Sequence, residues 1–313
     1  MNTLSRLFRA AKNPRLFVRH ANRLYHRRLD RRRYNPEGID VFEEDWDSLL
    51  VLDACRYDMF ERYANLPGRL EHRDSRGTST TEFLKANFDG RDLRDTVYVT
   101  ANPQLYHNRD RVDVELYRVI DVWREDGWND EYGTVLPETV TEYAMRAAHE
   151  YPNKRLVVHY IQPHYPFVGS DTDFDKEHLA ASDAEGIESR GENVWGQLMT
   201  GALDAETADV WRPYVANLQR ALPHVEELLR ELDGRTVVTA DHGNMVGERS
   251  FPIPIREWGH PRGTYTEQLV RVPWLVHDNG PRRDVVAGQP ESTTGGIEEG
   301  TVSDRLRHLG YTD

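Results

Sequence analysis

Cysteine is almost absent: Cys55 is the one thiol in 313 residues. A lone thiol excludes an internal disulfide and any multi-thiolate zinc or iron-sulfur centre, which leaves oxygen and imidazole ligands to carry metal chemistry. Lysine is nearly as scarce. Of 40 basic residues only Lys12, Lys85, Lys154 and Lys176 are lysines, so arginine supplies the positive charge. Long apolar runs are missing too. The longest, such as Leu49 to Leu52, are strand-sized and fall far short of the ~20 residues of a membrane span, so no integral membrane protein is expected. What is present is ordinary for a folded chain: 38% apolar residues and 22 glycines rule out wholesale disorder and collagen-like repeats.

The formal charge of −13 is unevenly placed. Residues 1–33 hold eleven Arg and Lys against Asp30 alone, a local +10 that leaves −23 on the remainder. Such an acidic, lysine-poor body resembles a salt-adapted proteome, since at molar salt the Debye length falls to about 3 Å and carboxylate repulsion is screened. Leu4, Leu7, Phe8 and Ala11 sit at helical spacing, and beyond Pro14 so do Phe17, Ala21, Leu24 and Tyr25, which predicts two short amphipathic helices. This basic segment, residues 1–40, either docks on the acidic body or attaches the protein to an anionic membrane through residues 1–33, each surface arginine contributing ~1 kcal/mol. Nucleic acid is not expected as a partner, because the −23 body repels a phosphate backbone. Arginines every three or four residues leave no apolar h-region for a cleavable signal. The expected location is therefore the cytoplasm, peripheral on the inner face of the membrane in the second reading.

Residues 41–313 read as one catalytic domain. The run SLLVL before Asp53 reads as a buried strand, followed by a helix over Asp58 to Leu66; further strands are expected at Thr96 to Thr100, Arg155 to Ile161, Thr236 to Ala240 and Val272 to Val276. Helices are expected at Pro137 to Glu150, with Pro137 in the first turn, and at Ala205 to Leu232, interrupted near Pro213 and Pro223. Ser170 to Asn193 and Pro281 to Glu299 read as loops. Alternating strands and helices are the signature of an α/β fold, here a three-layer α/β/α sandwich around a mostly parallel sheet, whose active site gathers beyond the carboxyl ends of strands. Asp53, His164, Asp241 and His242 stand just past such ends.

Two carboxylates and an imidazole, Asp53, Asp241 and His242, form three ligands for one divalent cation, zinc or manganese in preference to calcium or magnesium. Gly243 lets the backbone bend after them. A fourth position is offered by the hydroxyl-rich turn Ser75-Arg76-Gly77-Thr78-Ser79-Thr80, which opens a helix through Glu82 and Phe83. The plainer reading of that turn is a helix cap, with Glu82 in a capping-box relation to Ser79. His159, inside a strand, reads as a satisfied core histidine, Cys55 as a small buried residue, and Trp123 and Trp128 as packing residues.

In sequence order the pieces LLVLDACRYD, SRGTSTTEFL, VVHYIQPHYPF, TVVTADHGNMVGE, GHPRGTYTEQLVRVPWLV and DRLRHLGY resemble the alkaline phosphatase and sulfatase superfamily, in its sulfatase-like branch, over Asp47 to Tyr311. The resemblance implies an alkaline phosphatase-like sandwich, metal ligation by Asp53, Asp241 and His242, and Thr78 as a nucleophile that also touches the metal. Thr78 to Phe83 is similar to the nucleophile segment of lipoteichoic-acid-synthase and phosphoethanolamine-transferase relatives, which use threonine. No C/S-x-P-x-R motif for formylglycine is present, and Tyr160 stands where a two-metal phosphatase would have Asp before His164, which favours a single ion. His164 and His260 are then expected to contact the anionic ester or protonate its leaving group. Arg56 and Arg76 are expected to offer guanidinium forks to it.

These readings converge on a metal-dependent hydrolase or transferase acting on a phosphate-type ester through a covalent threonine, on a lipid-linked or surface-glycan substrate. The alternatives are a sulfatase that works without formylglycine and an inactive scaffold in glycan assembly.

Overall fold

The computed structural model describes residues 14–169, 194–291 and 299–311. The helix expected around Leu4 to Ala11, the loop over Ser170 to Asn193 and the later part of the loop over Pro281 to Glu299 lie outside the described residues. The chain runs through α1 (Pro14–His26), β1 (Ser48–Leu52), α2 (Tyr57–Tyr63), β2 (Arg69–Asp74), α3 (Thr80–Asn87), β3 (Arg91–Thr100), α4 (Gln104–His107) and β4 (Val114–Asp121). A short pair, β5 (Trp128–Asn129) and β6 (Thr134–Val135), leads to α5 (Pro137–Glu150), β7 (Arg155–Tyr160), α6 (Val194–Thr200), α7 (Thr207–Glu231) and β8 (Gly234–Thr239). The hairpin β9 (Met245–Arg249) and β10 (Arg256–Gly259) precedes α8 (Glu267–Val270), β11 (Arg271–Asn279) and α9 (Glu299–His308).

Seven strands form one sheet in the order β2-β11-β8-β1-β7-β3-β4. All pairings are parallel except those of β11, which runs against both β2 and β8. Side chains alternate across β1. Leu49 and Val51 enter one apolar layer with Phe83, Leu84 and Phe88; Leu50 and Leu52 enter the other with Val140 and Ala144 of α5 and Leu218, Val225 and Leu229 of α7. Both faces of the sheet are thus covered, which gives the three-layer α/β/α sandwich, and each of these fully buried side chains contributes about 1.5–3 kcal/mol.

Three local expectations need correction. Helix α7 runs unbroken for 25 residues through Pro213 and Pro223, because a stripe from Val210 through Tyr214, Leu218 and Val225 to Leu229 is buried against the sheet and α5 and offsets the lost backbone bonds. Strands β2 (RLEHRD) and β4 (VELYRVID) were not expected at all. They are the two sheet edges, half-exposed and charged, so they carry neither the apolar run of a central strand nor clean alternation.

Helix α1 lies against the body. Asn22 is buried and clamps the loop between β9 and β10: its Nδ2 donates to Ser250 Oγ and Ile253 O, each at 2.8 Å, and its Oδ1 accepts from Ile253 N at 2.9 Å. Arg19 Nε donates to the buried Glu257 Oε1 at 2.8 Å.

Candidate functional site

The adjacent parallel strands β8, β1 and β7 deliver the core of the site from one rung of the sheet. Val51 of β1 pairs with His159 on one side and Thr239 on the other, so Asp53 and Asp241, two residues further along their strands, leave the sheet side by side. Asp53, His159 and Asp241 are all buried, and one ligand atom from each lies within 4.8 Å of the others. Asp53 Oδ2 accepts from Asn102 Nδ2 at 2.6 Å and Tyr311 OH at 2.5 Å. Asp241 Oδ1 accepts from the backbone N–H of Ala54 at 3.0 Å and of His242 at 2.9 Å. Ala54 takes a left-handed conformation (φ 59°) to aim that N–H, a local strain of the kind functional sites retain.

The second atom of each group is left over. Asp53 Oδ1, Asp241 Oδ2 and His159 Nε2 are buried without a hydrogen-bond partner. Burial and the Asp241 charge push the Asp53 carboxyl well above its ordinary range. Two unpartnered carboxylate oxygens facing one imidazole nitrogen fit a divalent cation, which would satisfy all three at once. His159 is therefore more than a core histidine: Tyr98 OH meets its Nδ1 at 2.7 Å, and its Nε2 faces Asp241 Oδ2 at 3.8 Å. His242 joins from the side. Its Nδ1 donates to Gly243 O at 2.8 Å, which leaves the Nε2 lone pair 3.4 Å from Asp241 Oδ2 and 3.7 Å from Asp53 Oδ1. Asp53, Asp241, His159 and His242 are the residues that would hold the ion.

The hydroxyl that meets this group belongs to Thr80. Ser79 caps α3, accepting from Glu82 N, and that phase turns Thr80 inward. Thr80 Oγ1 lies 3.5 Å from Asp53 Oδ2, 3.5 Å from His242 Nε2 and 3.2 Å from Tyr311 OH. Thr78 points elsewhere. Its Oγ1 donates to Glu82 Oε2 at 3.0 Å and accepts from Gly263 N at 2.8 Å, a clasp between the start of α3 and the loop after β10. Both threonines lie in the turn singled out from the sequence, and Thr80 rather than Thr78 is the one whose hydroxyl faces the carboxylates.

His164 and His260 close the other side. Asn217 of α7 holds the His164 loop by donating to the carbonyls of Pro163, His164 and Pro166. His164 Nδ1 donates to Tyr165 O at 2.6 Å, so its Nε2 accepts from His260 Nε2 at 2.9 Å and leaves His260 Nδ1 as an open acceptor. The Tyr311 ring stacks on His164, and the His260 ring lies 4.6 Å from that of His242.

Burial holds His159 and His164 neutral, lowering both pKa values to about 4 from 6.5. Unfolded imidazole binds its proton more tightly, so the stability these two histidines contribute falls as pH drops from 6.5 and levels off near 4, on the order of 3 kcal/mol per histidine, while the raised Asp53 carboxyl acts in the opposite sense. Thermal melts in chelator across that window read the effect, and His164→Asn flattens the dependence.

The two arginines expected to grip substrate are engaged elsewhere. Arg56 is buried, bonded to Asp58, Glu248 and the carbonyl of Asn244, and stacked on Trp211. Arg76 donates to Asp40 Oδ2 at 2.7 Å and to Ala86 O and lies over the Tyr34 ring. Carboxylates hold the Arg56 guanidinium, while Arg76 spends Nη1 on Asp40 and Ala86 and keeps its Nε buried without a hydrogen-bond partner. Gly243 is required by close approach: a Cβ there would lie 2.1 Å from Gln268 O. Gly243→Ala is expected to cost about 1–3 kcal/mol, read as a lowered midpoint in denaturant.

Asn102 and Tyr311 also face this cluster and were not singled out from the sequence, which placed Thr80 only within the hydroxyl-rich turn and read His159 as a core residue. Asn102 had a signal, since it stands two residues past β3, where strand-end logic places sites. The sequence matches no protein-family profile and no curated protein. Among solved structures it is similar to the C-terminal periplasmic domain of EptC from Escherichia coli in complex with zinc, at 12% identity and a TM-score of 0.43 over 77% of this chain and 76% of that one. It is also similar to the integral membrane lipooligosaccharide phosphoethanolamine transferase A (EptA) from Neisseria meningitidis, at 14% identity and a TM-score of 0.43 over 73% of this chain. That match takes in 47% of EptA, less than half its length.

Proposed function

We propose that this protein is a metal-dependent transferase or hydrolase of an anionic phosphate-type ester, with Thr80 as the nucleophile. The observation that carries the reading is the convergence of three buried, unpartnered ligand atoms, from Asp53, Asp241 and His159, beside a helix-terminal hydroxyl. A bound zinc or manganese ion would neutralise the two carboxylates and withdraw charge from the ester oxygens. The chain's own residues then account for the protons. Thr80 Oγ1 forms the bond to phosphorus, and its proton passes to Asp53 Oδ2, 3.5 Å away. The bond from phosphorus to the leaving alcohol breaks and the alcohol departs with the proton that Thr80 gave up, while the neutral His164–His260 pair, with His260 Nδ1 open as an acceptor, takes the proton of the incoming water or alcohol in the second step and returns it to Thr80. Water or a second alcohol then releases the phosphoryl group from Thr80, giving hydrolysis or transfer.

The test is mass spectrometry of the protein quenched during turnover of an aryl phosphate in molar salt, beside the matched aryl sulfate. A phosphorylated peptide spanning Ser75 to Lys85 is expected. Release of inorganic sulfate alone would overturn the phosphoryl reading in favour of the sulfate ester, and no release from either ester by ion-loaded protein would favour the scaffold.

A further inference from the structure

We infer that α1 and the loop between β9 and β10 form one surface that docks on an anionic lipid bilayer. Five large apolar side chains, Phe17, Tyr25, Leu29, Phe251 and Ile253, stand between 44% and 74% exposed on these two segments. Among the described residues Tyr34 and Val286 are the other exposed large apolar ones, so the exposure is concentrated. The segments are one body: Asn22 clamps Ile253, and the Tyr25 and Phe251 rings meet edge to face at 5.6 Å. Phe17 stands on the same exposed side of α1 two turns before Tyr25. Directly after α1, Arg28, Leu29 and Asp30 all take left-handed backbone angles, a conformation L-residues avoid, and this turn holds Leu29 outward.

Charge selects the occupant. Arg28, Arg31 and Arg33 are exposed around the apolar tips and make no ion pair among the described residues. They belong to the segment carrying +10, on a body carrying −23. A phosphate-bearing surface is repelled by the rest of the molecule and attracted here, and aromatic and aliphatic tips rimmed by arginine match the apolar and headgroup depths of a membrane interface. No helix among the described residues is long and apolar enough to cross a membrane, so this face would rest on the bilayer. A groove of about 660 Å³ lies beside the patch, lined by Arg28, Leu29, Arg32 and Tyr265 and also by the acidic Glu37 and Asp74. Tyr265 OH donates to Glu82 of α3 at 3.0 Å, which brings the surface to the edge of the proposed site.

The surface stands independently of the reaction proposed above, and vesicle binding reads it separately. The experiment floats the full chain with vesicles of phosphatidylglycerol or of phosphatidylcholine in molar potassium chloride. There the Debye length is about 3 Å, so binding has to come from insertion and contact-range arginine pairs. The chain is expected to float with phosphatidylglycerol. The triple variant Phe17→Ser, Phe251→Ser, Ile253→Ser, with an unchanged melting midpoint, is expected to bind about tenfold more weakly or worse. Charge reversal at Arg28, Arg31 and Arg33 is expected to remove the preference for the anionic lipid. Protein left at the bottom of the gradient with both vesicles, or a triple variant that binds like wild type, overturns the inference. A concentration-dependent dimer dissolved by the triple variant would assign the face to a second copy, and binding lost on deleting residues 1–13 alone would assign it to those residues; either also overturns it.

Discussion

Asp241→Asn is expected to strip the divalent cation from the protein and reduce turnover at least about 10³-fold, because the removed charge acts on both ion and ester. The diagnostic part of the result is stability. Asparagine keeps the shape of the side chain and an oxygen for the N–H groups of Ala54 and His242. In the ion-free wild type burial, and after it the Asp241 charge, hold the Asp53 carboxyl well above its ordinary range. A raised folded-state pKa means stability that is present below the unfolded value near 3.9 and lost as pH rises through the folded value, so at neutral pH the ion-free protein carries the penalty. Asp241→Asn removes the part of it that comes from the second charge. In chelator the variant should therefore be more stable than wild type by about 1–3 kcal/mol, whereas with zinc or manganese the order reverses. Metal per chain by mass spectrometry and paired thermal melts check both halves. A variant less stable than wild type under both conditions would mean that the carboxylate is structural.

Thr80→Ala and Thr78→Ala are expected to fail in different ways. Thr80→Ala keeps its ion, loses the covalent adduct and falls at least about 10³-fold in turnover, and Thr80→Ser restores part of it. Thr78→Ala breaks the clasp from α3 to Gly263 and leaves the Glu82 carboxylate short of a donor, at a cost of about 1–2 kcal/mol, while the adduct still forms. Peptide mapping of the phosphorylated threonine separates the two. An adduct that survives Thr80→Ala and vanishes in Thr78→Ala would return the nucleophile to the position the sequence resemblance implies.

The difference between these two threonines shows where sequence reasoning stops. Composition and the spacing of SLLVL, RLVVHY and TVVTA exposed the buried strands, because a parallel sheet covered on both faces requires continuous apolar runs. The carboxylates after β1 and β8 were legible for the same reason: a charge at the end of such a run needs a partner. The hidden features depend on quantities that a linear pattern does not carry. Whether Thr78 or Thr80 faces inward depends on which residue caps α3, a phase shift of two positions. His159 reads as core because its strand is core; only the parallel register with β1 and β8 reveals that its free nitrogen meets Asp241. Arg76 looked available because its carboxylate partner Asp40 is remote in sequence, and Arg56 because Glu248 is remote, although its other partner, Asp58, stands only two residues away.

The arrangement of β8, β1 and β7 has a consequence for how the chain resists unfolding. The Asp241 carboxylate meets the backbone of Ala54 across 187 residues of sequence, and His159 lies between them in the chain. An ion shared by these strands would tie three distant points of the polymer into two long closed loops. In a protein whose solitary thiol forbids disulfides, that tie is the available cross-link, and chain-entropy reckoning for a loop near 100 residues reaches about 4.7 kcal/mol. Such a tether is reversible. Chelation should then act like reduction of a disulfide-bonded protein, releasing the central strands together and turning a slow, all-or-none opening into a faster one.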